Sequence, residues 1–139
     1  MIPTTCEVLD HTADVKLRLR GPSFAAVAAE AGRALARLEL GGVATAPSGA
    51  WHTIAIQAAD RSALLVDWLN ELIYRAESQR WVAAEFDVVA ATDTALEVRA
   101  RGVTVDATPS RVKAATFHGL RVAPIREGDG WEAEVVLDV

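Results

Sequence analysis

Residues 15–20 read Val-Lys-Leu-Arg-Leu-Arg, a strict alternation of apolar and basic side chains. Successive strand side chains point to opposite faces, so this run reads as a strand with one apolar and one solvated face. Gly21-Pro22 then breaks the chain, and Ser23 is an N-cap for a helix. Beyond it Phe24, Val27, Ala28, Ala31, Leu35 and Leu38 recur at helical spacing, with Glu30, Arg33 and Arg37 on the other side. The many alanines mark a helix face that can pack closely.

The remainder extends the pattern. Cys6 to Leu9 reads as a short strand, and Gly41-Gly42 ends the first helix before a loop at 44–49. Trp51 to Ala58 alternates as a strand, and Asp60-Arg61-Ser62 opens a second helix. Its apolar stripe is Leu65, Trp68, Leu69, Leu72, Ile73 and Ala76; Asp67, Asn70, Glu71, Arg75 and Glu77 fall mostly on the polar side. Glu85 to Ala91 and Leu96 to Arg101 are strands joined through Thr92-Asp93-Thr94. Val112 to Phe117 and Leu120 to Ile125 flank His118-Gly119, and a polar glycine turn at 127–130 precedes Trp131 to Val139. Two helices among about eight short strands predict an α+β fold: one domain over residues 1–139, its helices packed on mostly antiparallel sheet.

Bulk properties narrow the function. A net charge of −5 argues against wholesale wrapping of nucleic acid, which needs clustered cations. A single cysteine, Cys6, allows no internal disulfide and fits a reducing compartment. No apolar run is long enough for a membrane span and the N-terminus lacks signal-peptide character, so a cytoplasmic location is expected. There is no GxxxxGK[ST] loop, no GxGxxG after a strand and no GxSxG elbow. Nothing near Cys6 implies a lowered thiol pKa. Trp51, Trp68, Trp81 and Trp131 read first as packing residues.

Three segments carry candidate chemistry. Asp10-His11-Thr12-Ala13-Asp14 places two carboxylates and an imidazole just before the alternating strand. It reads either as a turn tightened by Asp and Thr, or as part of an oxygen-rich site for a hard cation such as Ca²⁺ or Mg²⁺. A single Asp binds too weakly, so the cation reading needs acids from elsewhere. Asp138 and the carboxylate of Val139 are candidates, unless Asp138 is a solvated residue at a frayed end. Lys113 and His118 lie five apart, on opposite faces of a regular strand unless Gly119 re-aims the histidine. Lys113 is either a surface amine or a cation facing an acidic site. His11, His52 and His118 show no zinc-ligand spacing, and His52 reads as an ordinary strand residue.

Taken together these segments resemble the archease family over nearly the whole chain. The resemblance rests on Glu7-Val8-Leu9-Asp10-His11-Thr12-Ala13-Asp14 with the following strand and Gly21, and on the helical run Leu64-Leu65-Val66-Asp67-Trp68-Leu69-Asn70-Glu71-Leu72-Ile73-Tyr74. It closes with Val112-Lys113-Ala114-Ala115-Thr116-Phe117-His118 and Leu137-Asp138-Val139. It implies an accessory protein, not an enzyme, whose partner is an RNA ligase of the RtcB type. That ligase joins 2′,3′-cyclic phosphate or 3′-phosphate ends to 5′-hydroxyl ends, using GTP and a divalent metal. Archeases promote its guanylylation and multiple turnover in tRNA splicing or RNA repair, so RNA is met only through the ligase. The resemblance also implies a bound divalent cation, calcium foremost, with magnesium or another divalent ion as alternatives. Its ligands here would be Asp14, Asp138 and Val139, with Asp10 and His11 as neighbours and Lys113 and His118 on the same functional surface.

This chain departs from the family's pattern at 102–111. That stretch is shorter, with Val103 and Thr108 where Glu and His are expected, while Asp106 keeps an acid. Phe117 replaces a common Tyr. A small metal-dependent hydrolase or phosphate-handling enzyme, and a chaperone-like interaction module, are the alternatives. Oligomeric state and the RNA served stay open.

Overall fold

The computed structural model describes residues 2–10, 14–42, 46–106 and 112–139, without the side chains of Asp10 and Glu127. Its elements run β1 (Thr5–Asp10), β2 (Asp14–Gly21), α1 (Phe24–Glu39), β3 (Ser48–Gln57), α2 (Arg61–Gln79), β4 (Trp81–Ala91), β5 (Ala95–Thr104), β6 (Ala114–Pro124) and β7 (Trp131–Asp138). A 3-10 turn at Arg126–Gly128 links the last two strands. The expected α+β class holds, with seven strands in two sheets among the described residues. The first sheet is ordered β1-β2-β7-β6 and the second β3-β5-β4, every neighbouring pair antiparallel.

The alternation in β2 does what its pattern demands. Val15, Leu17 and Leu19 turn into the core while Lys16, Arg18 and Arg20 face outward. Across β7, Val135 and Leu137 join them inside. Outside, Glu134 accepts from Lys16 Nζ at 3.3 Å and from Arg18 Nε at 3.1 Å. Those cations, led by the Lys16 hydrogen bond, hold the Glu134 carboxyl below its usual range.

Each helix touches both sheets: α1 packs on β2 and β4, α2 on β6, β4 and β3. Ser23 and Asp60 cap the two helices, accepting from Ala26 N–H at 3.1 Å and Ala63 N–H at 2.8 Å. The small residues of α1 permit close approach. A Cβ on Gly32 would stand 2.8 Å from the Phe86 ring of β4. Phe86 in turn meets Trp68 of α2 edge-on at 5.6 Å, and Trp68, fully buried, donates its indole N–H to Ala28 O at 2.9 Å. One aromatic stack therefore ties α1, α2 and the second sheet together. At the other end Arg61 lies 4.4 Å over the Trp131 ring and 5.8 Å from that of Phe24, where α2, β7 and α1 meet.

Three sequence expectations change. The segments on either side of His118-Gly119 form one strand, not two, because both pair with the continuous β7. Gly119, at φ +63°, absorbs the surplus residues in a bulge. The stretch from residue 102 is not all loop: Gly102, Val103 and Thr104 belong to β5 and pair with Ala83, Val82 and Trp81. Gly102 is required there, since a Cβ would collide with the Val82 carbonyl. Thr108 lies outside the described residues. Third, Asn70 is not merely on the polar side of α2. Its Oδ1 accepts from Ala115 N–H at 2.8 Å and its Nδ2 donates to Ala115 O at 3.1 Å.

Ala115 sits on β6, at the edge of the first sheet, so the Asn70 amide imitates one residue of a neighbouring strand. Asn70→Ala should therefore lower stability by about 1–3 kcal/mol, the penalty of leaving a half-buried amide and carbonyl unpaired. A reduced urea midpoint at unchanged slope is the expected reading. An unchanged midpoint would show that water replaces the amide without loss.

Candidate metal and partner site

The pairing of β2 with β7 brings the two ends of the sequence together. Asp14 stands opposite Asp138 in the register, and Ala114 of β6 lies opposite Asp138 on its other side. Lys113 extends that ladder, its N–H donating to Asp138 O at 2.7 Å. Asp138 is therefore held in a three-strand ladder and does not fray. Because side chains alternate along β2, Asp14 shares the outer face with Lys16, Arg18 and Arg20.

Asp14, Asp138, Thr116 and His118 line one shallow hollow of about 230 Å³. Thr116 is fixed by its hydroxyl, which donates to Val136 O at 3.1 Å. Asp14 also reaches a larger cleft of about 520 Å³, between β1, β2 and the end of α1, walled by Val8, Leu38, Val112 and Val139 with Arg37 at its side. Asp14 is thus the residue common to both recesses, and Val139 is beside it in the second.

Asp14 Oδ1 is buried and has no hydrogen-bond partner among the described residues. A buried carboxylate oxygen without a donor is unfavourable unless a cation completes it. This orphaned oxygen, in register with Asp138, fits a hard divalent ion bound through oxygens. The side chains do not suffice alone. Among the described residues no three His, Cys, Asp or Glu side chains gather closely enough to hold a metal. Asp14 meets Asp138 in the hollow and Val139 in the cleft, and these are the acidic groups the geometry sets beside it.

The other sequence candidates divide. His118 joins the acids by strand parity, since Ala114, Thr116 and His118 alternate on the same sheet face as Asp138. Lys113 contributes its backbone to the Asp138 ladder, while its exposed side chain lines neither recess. Asp10 closes β1 opposite Val15; its side chain, and His11, lie outside the described residues. His52 is exposed on β3, edge-on to Trp81 at 4.9 Å. Sequence reading missed Thr116 as a wall of the site; period-two spacing from Ala114 was the signal that could have found it.

Comparison with known proteins places the fold and the family. Residues 6–139 match the Archease protein family (MTH1598/TM1083). The chain belongs to the archease family. It is 30% identical over 141 residues to Protein archease of Methanosarcina barkeri, covering 96% of this chain and 94% of that one. To Protein archease of Methanopyrus kandleri it is 32% identical over 142 residues, covering 96% and 98%. Its fold superposes on the solution structure of Methanobacterium thermoautotrophicum protein 1598 with a TM-score of 0.74 at 26% identity, over 96% of this chain and 98% of that one. A Thermotoga maritima archease, described as a possible chaperone, gives a TM-score of 0.68 at 22% identity over 94% of each chain and supports the fold alone. No helix among the described residues is long and apolar enough to cross a membrane.

Cys6 is not activated. Burial, reinforced by the charge of Glu30, pushes its thiol up to about 11 despite the opposing charge of Arg37. At pH 8 only roughly one molecule in a thousand carries the reactive thiolate. Alkylation of the folded protein at pH 8 should run about 100-fold slower than that of the urea-unfolded chain. Equal rates would contradict the burial assigned to this residue.

Proposed function

We propose that this archease activates an RNA ligase of the RtcB type, promoting its guanylylation and repeated turnover in tRNA splicing or RNA repair. Family membership supports this reading, and so does the geometry at the chain ends. The observation that carries it is the orphaned, buried Asp14 oxygen in register with Asp138 on an outward sheet face. Asp14, Asp138 and Val139 would hold a divalent cation, calcium foremost, and a bound cation would supply positive charge and open coordination positions at the docking face. Lys113 and His118 flank the same surface. The ligase, in the cytoplasm, is the partner; RNA is met through it.

An activator must favour one state of its partner, since equal binding to both states shifts nothing. The acidic end of the first sheet meets that requirement if it complements the ligase's cation-lined nucleotide site only in the guanylylation-competent arrangement. The same surface suits a hydrolase less well. A catalytic metal site usually takes three protein ligands and keeps an open position, and here only two side-chain acids converge among the described residues.

The test is multiple-turnover joining by the ligase with this protein, wild type or carrying Asp14→Asn or Asp138→Asn, alongside calcium titration. Loss of a ligand should weaken calcium binding by at least about 100-fold, given that outer-shell losses alone reach 10–100-fold. Stimulation should fall with it. Undiminished turnover in both variants would sink the site assignment, and no stimulation by the wild type would sink the ligase reading.

A further inference from the structure

The bulge in β6 expels an aromatic residue from the core. Thr116 pairs with Val136 and Arg121 with Glu134, so four residues, Phe117 to Leu120, lie opposite the single Val135. In a regular strand Phe117 would share the inward face of buried Ala115. Instead it is 63% exposed, the most exposed large apolar side chain among the described residues. Leu120, half-buried, packs against the core. Gly119 at φ +63° has open space around it, so nothing in the packing forces the detour. Bulges commonly re-aim side chains next to functional sites. The next residue, His118, lines the hollow that holds Asp14 and Asp138.

We infer that Phe117 is an anchor that seats in an apolar socket on a protein partner, beside a polar mouth bearing cations that faces Asp14 and Asp138. Exposed aromatics surrounded by polar groups are the residues that concentrate binding energy at interfaces. Charge chooses the occupant. A nucleic-acid base stacked on Phe117 would bring phosphates against the Asp14, Asp138 and Val139 carboxylates, whose three negative charges outweigh one divalent cation, in a chain of net charge −5. A protein surface carrying cations meets the same acids favourably. A second copy of this chain would set acid pair against acid pair. The inference rests on the ligase reading above and adds to it a residue outside the proposed cation site.

The experiment measures ligase turnover against concentration of this protein for wild type, Phe117→Ala, Phe117→Tyr and Asp138→Asn, with thermal unfolding and calcium titration of each. Phe117→Ala should raise the half-maximal concentration about 30-fold with the plateau intact. Phe117→Tyr should stay within about threefold of wild type, because the ring keeps its area. Calcium affinity and unfolding midpoint should be unchanged in both Phe117 variants, whereas Asp138→Asn should lower the plateau and the calcium affinity. A wild-type half-maximal concentration in Phe117→Ala overturns the inference. So does a joint fall of plateau and unfolding midpoint, which would make Phe117 structural. Self-association abolished by Phe117→Ala, or RNA binding without ligase that depends on Phe117, would assign the anchor to another occupant and overturn it as well. No stimulation by wild type overturns the ligase reading itself, a result distinguishable from all of these.

Discussion

The antiparallel pairing of β2 with β7 is the constraint on which the rest of the structure depends. It joins residues more than a hundred positions apart through eight consecutive rungs, from Asp14 with Asp138 to Gly21 with Trp131. Two kinds of interaction line it. On the outer face the ion pairs of Glu134 with Lys16 and Arg18 are partly or largely solvated, and such pairs contribute about 0–1 kcal/mol each. On the inner face Leu17, Leu19, Val135 and Leu137 are fully buried, and a side chain of that size contributes about 1.5–3 kcal/mol. Burial therefore sets the register, and the ion pairs decorate a pairing already decided. A slip of one residue would turn the apolar set of one of the two strands to water and separate Asp14 from Asp138. The geometry of the candidate site is thus inherited from the core beneath it.

The site also needs β6, which supplies Thr116 and His118 and lies at the sheet edge. Edge strands expose unpaired amides and carbonyls, and β6 is interrupted by a bulge as well. Asn70 compensates on the helical side. By bonding both polar groups of Ala115 it fixes the strand one residue before Thr116 and couples the site to α2, whose own position is set by Trp68 in the core. The bulge then falls just beyond this clamp, leaving Phe117 and His118 as the first residues of β6 free to depart from regular geometry.

Much of this was legible in the sequence, and the parts that were not share a physical cause. Period-two alternation in 15–20 and the 3.6-residue stripes of both helices are local signals, and each element they mark is present. Asp14, Asp138 and Val139 could be named from a family resemblance, but the pairing of Asp14 with Asp138 depends on register between the chain ends, which no local pattern encodes. His118 was ambiguous because the strand reads as ending at Phe117, and only the strand pairing shows that the segments around Gly119 continue one another. Asn70 looked like a solvated helix residue. Its role comes from a neighbour 45 positions away, and an asparagine on a half-polar helix carries no mark of that. Val103 was assigned to a loop because the strand signal fades at Gly102, where the lack of a side chain is what lets β4 and β5 stay in contact.

The sparse donor set is itself informative about the kind of function the site supports. Ca²⁺ takes six to eight oxygens. Two aspartates and the Val139 carboxylate reach six oxygens only if every carboxylate binds through both atoms, so one-atom ligation by any of them would leave positions for water or another molecule. The rigid element is the strand pair, and Asp14 and Asp138 stand on its outward face. A self-sufficient structural ion would be enclosed by its own chain, with its ligands turned inward. A site built on an outer sheet face, flanked by an expelled phenylalanine and a histidine, is one that a second molecule can complete. On that argument the Asp14–Asp138 pair is better suited to report the arrival of a partner than to act alone.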